Sequence, residues 1–431
     1  MKKQFISIIC MLSISFVLLS ETSADILDTY GFGAKGMSTG SAVCASVADG
    51  TSVFYNPAGL GKVTGFNSGL SYLRTFSSMK ISDSPATAPD NDDLSFGAIE
   101  LDLALNLSLL ADLKKNIAFG MGLAAMDDGS VALLEDVEES TYSYVQFGAP
   151  LKRITIYTGL GMEVIEDSLW IGAGAHAMIA GNAAANLTLE TGGLSTTEPT
   201  IPARQELWMK MDASLKPVLG VIYKPTEDLS FGFSYKDAIA ADIDKFNANL
   251  DLKLGEFAAK IPALLAILAS WSPPVYRAGI SYRTGNAEIE VDLVREQWSD
   301  FNRGAVRDLN RVAPEFDDVN SYHLGMTYSK SEDLNIFAGY VFAPTPVPDQ
   351  PGISNYLGSD RHIVSCGGEK KFDRPFGIIK YPVWIGVSLQ EQLFKNRTFT
   401  KSDGSDYSLK GNVFSALLSV RICYDRLTLN N

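Results

Sequence analysis

Strict alternation of aliphatic and polar residues is the feature that most restricts how this chain folds. Between residues 99 and 108, one face of an extended segment is aliphatic throughout, and the other face is mostly polar or charged. A period of two is that of a β-strand, and a wholly aliphatic row is typical of a strand facing lipid. The pattern returns at 287–294, 321–328 and 414–424. Soluble β-sandwiches also alternate, but usually over shorter strands, so the pattern favours a transmembrane β-barrel.

The N-terminus has the pattern of an export signal. Lys2 and Lys3 precede an apolar stretch at 5–19, and small residues follow before Asp25. The apolar stretch is too short for a permanent transmembrane helix. We therefore expect residues 1–24 to be a cleaved signal peptide, with a retained membrane anchor as the alternative.

Composition argues against several classes of protein. No window after the signal approaches 18 consecutive apolar residues, so a transmembrane helix is not expected. Asp and Glu number 50 against 36 Lys and Arg, which argues against nucleic acid as a partner. The cysteines show no disulfide or metal spacing, and no P-loop, zinc-protease or nucleophile-elbow motif is present. We expect no enzymatic activity, no cofactor and no metal site.

Short polar connections alternate with long ones along the chain. The segments 284–286 and 330–333 are short, whereas 237–272 and 391–411 are long. This asymmetry is typical of bacterial outer-membrane barrels, whose short turns face the periplasm. About fourteen strands are predicted, near 65–81, 94–109, 116–126, 152–165, 169–188, 206–223, 229–236, 273–283, 287–298, 320–329, 334–343, 361–372, 380–390 and 411–425.

A block of small residues follows the signal. Residues 31–61 are mostly Gly, Ala, Ser and Thr, with too little bulk for a core of their own and too little charge for a solvated linker. Small side chains let backbones approach closely, so we expect this block to pack inside another structure. Near its end, a proline fixes φ, an asparagine caps its own backbone and a glycine can take positive φ. This turn motif comprises Asn56, Pro57, Ala58 and Gly59.

Further motifs lie in the later part of the chain. The segment 223–235 has a Pro-Thr turn before a glycine-centred strand, 298–301 resembles a strand end entering an outer loop, and 344–351 and 360–362 resemble a loop and the next strand entry. With these motifs and the 31–61 block, the chain resembles the FadL family, the outer-membrane channels for long-chain fatty acids and other hydrophobic compounds. In that family a similar small-residue segment with an Asn-Pro-Ala motif forms a hatch inside the barrel.

The resemblance implies an all-β fold in the bacterial outer membrane. The chain would be a transmembrane antiparallel β-barrel of about 14 strands spanning 65–431, with an N-terminal hatch at 25–64 plugging the lumen. Its function would be passive transport of fatty acids or of aromatic or aliphatic hydrocarbons, with outer-membrane lipid and the barrel assembly machinery as further partners. A general diffusion porin or a structural barrel is the alternative. Family members usually end on an aromatic residue, whereas here seven residues follow Tyr424.

The long segment 237–272 is unusually apolar for an extracellular loop. We expect a helix that begins near Pro262 and runs through Leu268. It would serve as a landing site for a hydrophobic substrate, or pack on the barrel rim, or do both. The candidate binding residues are Leu264, Leu265, Ile267, Leu268 and Trp271.

Several charged residues are expected to face the lumen. In one interpretation they pair across the lumen and fix the hatch, since an unpaired buried charge is costly. In the other, Lys210 or Arg277 receives a substrate carboxylate, with Trp170 nearby as a further candidate. Acidic residues outnumber basic ones in this set, so a neutral hydrocarbon fits as well as a fatty acid. The set comprises Glu100, Asp102, Lys210, Arg277, Glu288, Glu290 and Asp292.

Overall fold

The protein consists of a ring of paired strands and a segment that lies inside the ring. Its structure is a computed structural model. The predicted signal peptide and the residues after Tyr424 lie outside the described residues. The structure describes residues 26–82, 95–109, 113–126, 143–144, 154–191, 203–254, 257–301, 315–349, 351, 356–373, 375 and 381–424.

Strands dominate the described chain, as the alternating pattern predicts. Eighteen are present there, two of them only two residues long. In chain order they are β1 (Phe66–Ser82), β2 (Gly97–Asn106), β3 (Ile117–Met126), β4 (Ser143–Tyr144), β5 (Ile154–Ile165), β6 (Leu169–Thr191), β7 (Ala203–Tyr223), β8 (Leu229–Lys236), β9 (Ile239–Leu254), β10 (Phe257–Ser272), β11 (Val275–Thr284), β12 (Ala287–Glu296), β13 (Val319–Ser331), β14 (Leu334–Ala343), β15 (Tyr356–Leu357), β16 (Arg361–Phe372), β17 (Val383–Thr400) and β18 (Asp406–Tyr424).

Fourteen of these strands form a closed antiparallel barrel. Around the ring the order is β1, β2, β3, β5, β6, β7, β8, β11, β12, β13, β14, β16, β17 and β18. β18 returns to β1 in a continuous register, from Phe66 opposite Tyr424 to Ser82 opposite Ser408. An even strand number brings both ends of the barrel to the same side. The predicted fold class and strand number are therefore confirmed.

The predicted faces of the strands are confirmed as well. On β2, Ile99 and Leu101 are exposed on the outside of the ring, whereas Glu100 and Asp102 are buried on the inside. On β12, Val291 is exposed and Asp292 is fully buried. The outside of the barrel is therefore an apolar surface, and the charged side chains point into the lumen.

The segment 237–272 is a long hairpin rather than the expected loop with a helix through Leu268. β9 and β10 pair along their length, and β9 runs parallel to the end of β6 where Asn186–Thr191 lies beside Asn249–Leu254. The helix prediction was wrong because a short apolar run does not distinguish strand from helix by periodicity. β9 supplies partners for the β10 backbone, and Pro262 is tolerated because β10 is an edge strand.

The last two barrel strands extend well past their predicted ends. β17 and β18 fill most of the predicted loop at 391–411 and leave only the turn at 401–405 between them. Phe399 and Tyr407 stack with ring centroids 4.9 Å apart on either side of this turn, and Gly404 adopts a positive φ of 83°. Aromatic cross-strand pairs stabilise hairpins, which explains why the strands continue this far.

Residues 26–63, called the hatch below, lie inside the barrel. The hatch contains three short helices and one 3-10 helix: α1 (Ile26–Tyr30), α2 (Gly33–Ser38), α3 (Ser52–Tyr55) and Pro57–Lys62. Nearly all its residues are buried, with hydrogen bonds to wall strands from every side of the ring. None of the helices in the described part of the chain is long and apolar enough to cross a membrane.

The turn lengths lead to a test of orientation. A protease site inserted after Gly404 should be cut when protease is added to intact cells, because long strand extensions carry this turn away from the membrane. The same site inserted after Glu332, in the short β13–β14 turn, should be protected by the membrane. Immunoblotting of the fragments measures both. Cleavage at Glu332 with protection at Gly404 would show that the barrel is inserted in the opposite sense.

Candidate functional site

Carboxylates of the barrel wall hold the backbone of the hatch. Glu100 accepts a hydrogen bond from the Gly33 amide at 2.8 Å. On β12, Asp292 accepts from the amides of Val43 and Cys44 at 3.1 and 3.0 Å, and Glu290 accepts from Ala45 at 2.6 Å. Charge-assisted hydrogen bonds are stronger than neutral ones. Three of the five acidic residues predicted to face the lumen therefore serve as acceptors for an irregular backbone.

Neutral wall side chains satisfy the hatch carbonyls. Hydroxyl and amide donors from three strands point inward at the hatch, and each donates to a backbone oxygen. The donor and acceptor pairs are Ser234 to Tyr55 (2.7 Å), Ser365 to Ser38 (3.0 Å), Ser388 to Ala34 (2.8 Å), Gln390 to Tyr30 (3.3 Å) and Gln392 to Thr29 (3.2 Å).

The Asn56 turn motif is pressed directly against the wall. The Asn56 side chain caps its own turn by accepting from the Ala58 amide at 3.2 Å, and it donates to the Val221 carbonyl at 3.1 Å. The wall is glycine where the motif touches it. A Cβ on Gly172 would lie 2.2 Å from the Pro57 carbonyl carbon, and one on Gly220 would lie 2.0 Å from the Asn56 side-chain oxygen. Close approach of the two backbones therefore requires glycine at both positions.

A buried ion triad joins the start of the hatch to the wall. Asp28 on α1 forms ion pairs with Lys236 on β8 and with Arg277 on β11, the latter at 2.8 Å, and all three side chains are about 5% exposed. Both cations also lie 4.9 Å from the centre of the Phe54 ring. Burial alone would raise the pKa of the Asp28 carboxyl, but Lys236 and Arg277 hold this pKa below its ordinary value. Arg277 is thus engaged by the protein's own carboxylate.

The other predicted site residues have different surroundings. Trp170 is buried in the wall, with the Lys62 ammonium of the hatch 5.3 Å from its ring centre, so it contacts the hatch. Lys210 lies on β7 opposite Asn182, and its side chain is outside the described part. The four aliphatic candidates lie in β10, and their side chains are likewise outside it; they are Leu264, Leu265, Ile267 and Leu268.

Trp271, the last predicted candidate, belongs to a cluster of aromatic side chains at the long-loop end of the lumen. Its ring centroid lies 5.6 Å from that of Trp298 and 5.2 Å from that of Phe301. Phe316 continues the cluster at 5.4 Å from Phe301, and Tyr356 at 5.2 Å from Phe316. These five residues are called the outer aromatic cluster. They form one apolar core with Tyr30 and Met37 of the hatch.

The sequence analysis did not identify this cluster as a site, although Trp298 and Phe301 belong to one of its motifs. Aromatic residues at both ends of the segment 299–319 were the available signal.

A polar cavity of about 530 Å³ lies on the short-turn side of the hatch. Its lining includes Lys35 and Glu288, whose charged atoms are 3.8 Å apart, and Arg421, which pairs with Glu369 at 2.9 Å.

The hatch thus separates an aromatic cluster at the outer end of the lumen from a polar cavity at the inner end. The described residues contain no group of three His, Cys, Asp or Glu side chains arranged to hold a metal ion. A closed 14-stranded barrel with an internal hatch held by its wall defines a plugged channel of the outer-membrane class. The chain matches the family model described as "Outer membrane protein transport protein (OMPP1/FadL/TodX)" over residues 20–378, and it belongs to that family.

Solved structures share this fold. The toluene transporter TodX of P. putida is 16% identical, with a TM-score of 0.58 over 92% of this chain and 100% of that one. The CymD monoaromatic hydrocarbon channel is 15% identical, with a TM-score of 0.58 over 92% and 99%. A FadL homologue of Pseudomonas aeruginosa is 14% identical, with a TM-score of 0.56 over 95% and 99%. A comparison with curated protein sequences gives no match.

The ion triad leads to a test of how the hatch is held. In Asp28→Asn protein, Lys236 and Arg277 stay buried without their anion, which costs about 3–5 kcal/mol. Cys44 is fully buried in the hatch behind Arg277 and reports opening of the hatch. In a Cys366→Ser, Cys423→Ser background, we expect a thiol reagent to label Cys44 on the order of 10² to 10³ times faster in Asp28→Asn protein.

Asp403→Asn is the matched control, because Asp403 lies in the exposed β17–β18 turn. It should leave the rate of Cys44 labelling unchanged. Equal labelling rates in the Asp28→Asn and Asp403→Asn proteins would contradict the role of the triad in holding the hatch.

Proposed function

We propose that this protein takes up hydrophobic compounds passively, through the outer aromatic cluster and past the hatch. The observation that carries the proposal is the division of the lumen. A cluster of apolar aromatic side chains at its outer end continues into the hatch, whereas a polar cavity lies at its inner end. An apolar solute partitions along apolar side chains and gains nothing from an aqueous pore.

Aromatic or other neutral hydrocarbons are the cargo that this lumen favours. Asp28 compensates both Lys236 and Arg277, so a carboxylate substrate would have to displace a buried carboxylate from its ion pairs. Two solved structures with a similar fold, a toluene transporter and a monoaromatic hydrocarbon channel, support the same class of cargo. The alternative role of Arg277, reception of a fatty-acid carboxylate, requires that displacement.

In this proposal the β9–β10 hairpin is the site where a hydrophobic substrate first adsorbs. It extends beyond the barrel from the long-loop end, and its β10 strand leads directly to Trp271 of the outer aromatic cluster. Leu264, Leu265, Ile267 and Leu268 lie along that strand. A hydrophobic solute adsorbed there would be next to the outer aromatic cluster.

The histidine contacts also favour transport over catalysis. Ser321 and His323 lie 2.8 Å apart, as a nucleophile and a base would. However, His323 donates from its other ring nitrogen to the Gly40 carbonyl at 2.6 Å, so this pair anchors the hatch and has no carboxylate to orient it. His176 similarly bonds to the Asp237 carbonyl at 2.9 Å.

Hatch removal distinguishes this function from that of a diffusion porin. Barrels of 16 to 18 strands leave an aqueous channel, and a 14-stranded wall lined with glycine leaves room for one once residues 26–61 are deleted. We expect low ion conductance from the intact protein in planar bilayers and high conductance from the deletion variant. Heat-modifiable electrophoretic mobility confirms that the variant is folded. Open-pore conductance from the intact protein would instead support the porin.

Uptake assays test the route itself. Burial of an aromatic-sized side chain contributes about 1.5–3 kcal/mol, so Trp271→Ala with Phe316→Ala should slow hydrocarbon uptake about tenfold or more. Cells that lack their own transporter would be given labelled toluene, a labelled alkane and a labelled long-chain fatty acid. Phe233→Ala is the control, because Phe233 faces outward from β8. Normal toluene uptake by the correctly folded double variant would exclude this route.

A further inference from the structure

Two lysines lie directly opposite each other on the outward surface of β1 and β18. Lys80 pairs in register with Lys410, and both side chains are exposed. Directly opposed residues on antiparallel strands have Cβ atoms about 4.5–5.5 Å apart, and like charges at that distance are destabilising. Within the described chain, neither lysine forms an ion pair with a carboxylate. The fold therefore holds two positive charges together with no anion from this part of the protein.

Aromatic residues show where this lysine pair lies relative to the membrane. Phe76 and Phe414 stack with centroids 6.4 Å apart, four residues nearer the short-turn end on the same two strands. Both are exposed on the outward face. Outward-facing aromatic rings at this end of a barrel mark the boundary of the apolar layer. With about 3.3 Å per residue and a strand tilt of about 40°, the lysines lie about 10 Å further out, among the lipid headgroups.

Two other basic residues near this end of the barrel have carboxylate partners. Lys395 on the neighbouring strand β17 lies 3.7 Å from Asp360. Almost across the ring, Arg295 on β12 lies just beyond the outward-facing Tyr322 and pairs with Asp318 at 2.9 Å. Each of these two cations has an anion beside it, whereas the opposed lysines have none within the described chain.

We propose that Lys80 and Lys410 bind the phosphate group of a phosphorylated lipid in the outer leaflet around the barrel. A phosphate carries up to two negative charges and several acceptor oxygens, so it offsets the repulsion between the two ammonium groups and accepts a hydrogen bond from each. The acyl chains of the same lipid would lie on Phe76, Phe414 and the apolar surface below them. A free phosphate would gain only the first of these contacts. The site is on the outside of the barrel and is independent of what crosses the lumen.

The experiment uses the full chain, purified in a neutral detergent. Binding of lipid A, which carries two phosphates, is measured by native mass spectrometry over a series of lipid concentrations. Near a charged lipid surface each lysine contributes about 1 kcal/mol, so Lys80→Gln with Lys410→Gln should weaken lipid A binding at least about tenfold. Lys80→Arg with Lys410→Arg should keep it within a factor of about two to three. Arg295→Gln, whose cation has its own carboxylate, should leave binding unchanged.

Two further ligands, dephosphorylated lipid A and inorganic phosphate, show whether the bound anion belongs to a lipid or is a free phosphate. Dephosphorylated lipid A should bind the unaltered protein as weakly as lipid A binds the double glutamine variant. Millimolar inorganic phosphate should not displace lipid A, because it has no acyl chains to place on the aromatic pair. Unchanged lipid A binding by the double glutamine variant, an equal loss in Arg295→Gln, or full displacement by inorganic phosphate would each overturn the proposal. Heat-modifiable mobility verifies that each variant is folded.

Discussion

An irregular backbone buried inside a barrel must have every amide and carbonyl satisfied, and this requirement shapes the rest of the structure. Turns within the hatch satisfy part of its backbone, but its short helices leave other polar groups that need partners from outside the segment. Where hatch amides point outward, the wall supplies acceptors such as Glu100 and Asp292. Where hatch carbonyls point outward, it supplies donors such as Ser388. The polar side chains of the lumen are therefore explained by their contacts with the hatch, without reference to a solute.

The same contacts determine what the lumen offers to a molecule from outside. Because the carboxylate of Asp28 is engaged with Lys236 and Arg277, an entering solute finds these charges already paired and can follow the apolar side chains of the outer aromatic cluster. The apolar core that begins at the outer aromatic cluster ends on hatch residues such as Tyr30. A solute that follows apolar surface is thus led to the hatch, and movement of the hatch becomes part of transport.

Local pattern was enough to predict the strands, and it failed where long-range pairing decides the outcome. The alternation at 99–108 and the short turn at 284–286 predicted strand, face and turn correctly, because each is a property of adjacent residues. The small residues of 31–61 similarly indicated a segment packed inside the barrel. The β9–β10 hairpin was missed because an apolar run has no helix-specific signal. No sequence pattern indicates that Asp28 meets Lys236 and Arg277, since more than 200 residues separate them.

The glycine wall beside the Asn56 turn has a consequence for assembly. Positions such as Gly172 and Gly220 leave the lumen unfilled unless the hatch occupies it, and the hydrophobic cluster of the hatch includes wall residues such as Tyr157 and Trp170. The hatch also joins the barrel at β1, the strand that pairs with β18 to close the ring. Barrel and hatch therefore pack against each other in the finished molecule, and the order in which the ring closes and the hatch is seated matters. Closure of the β1–β18 seam around a seated hatch gives a packed molecule, whereas closure around an empty lumen gives a hollow one.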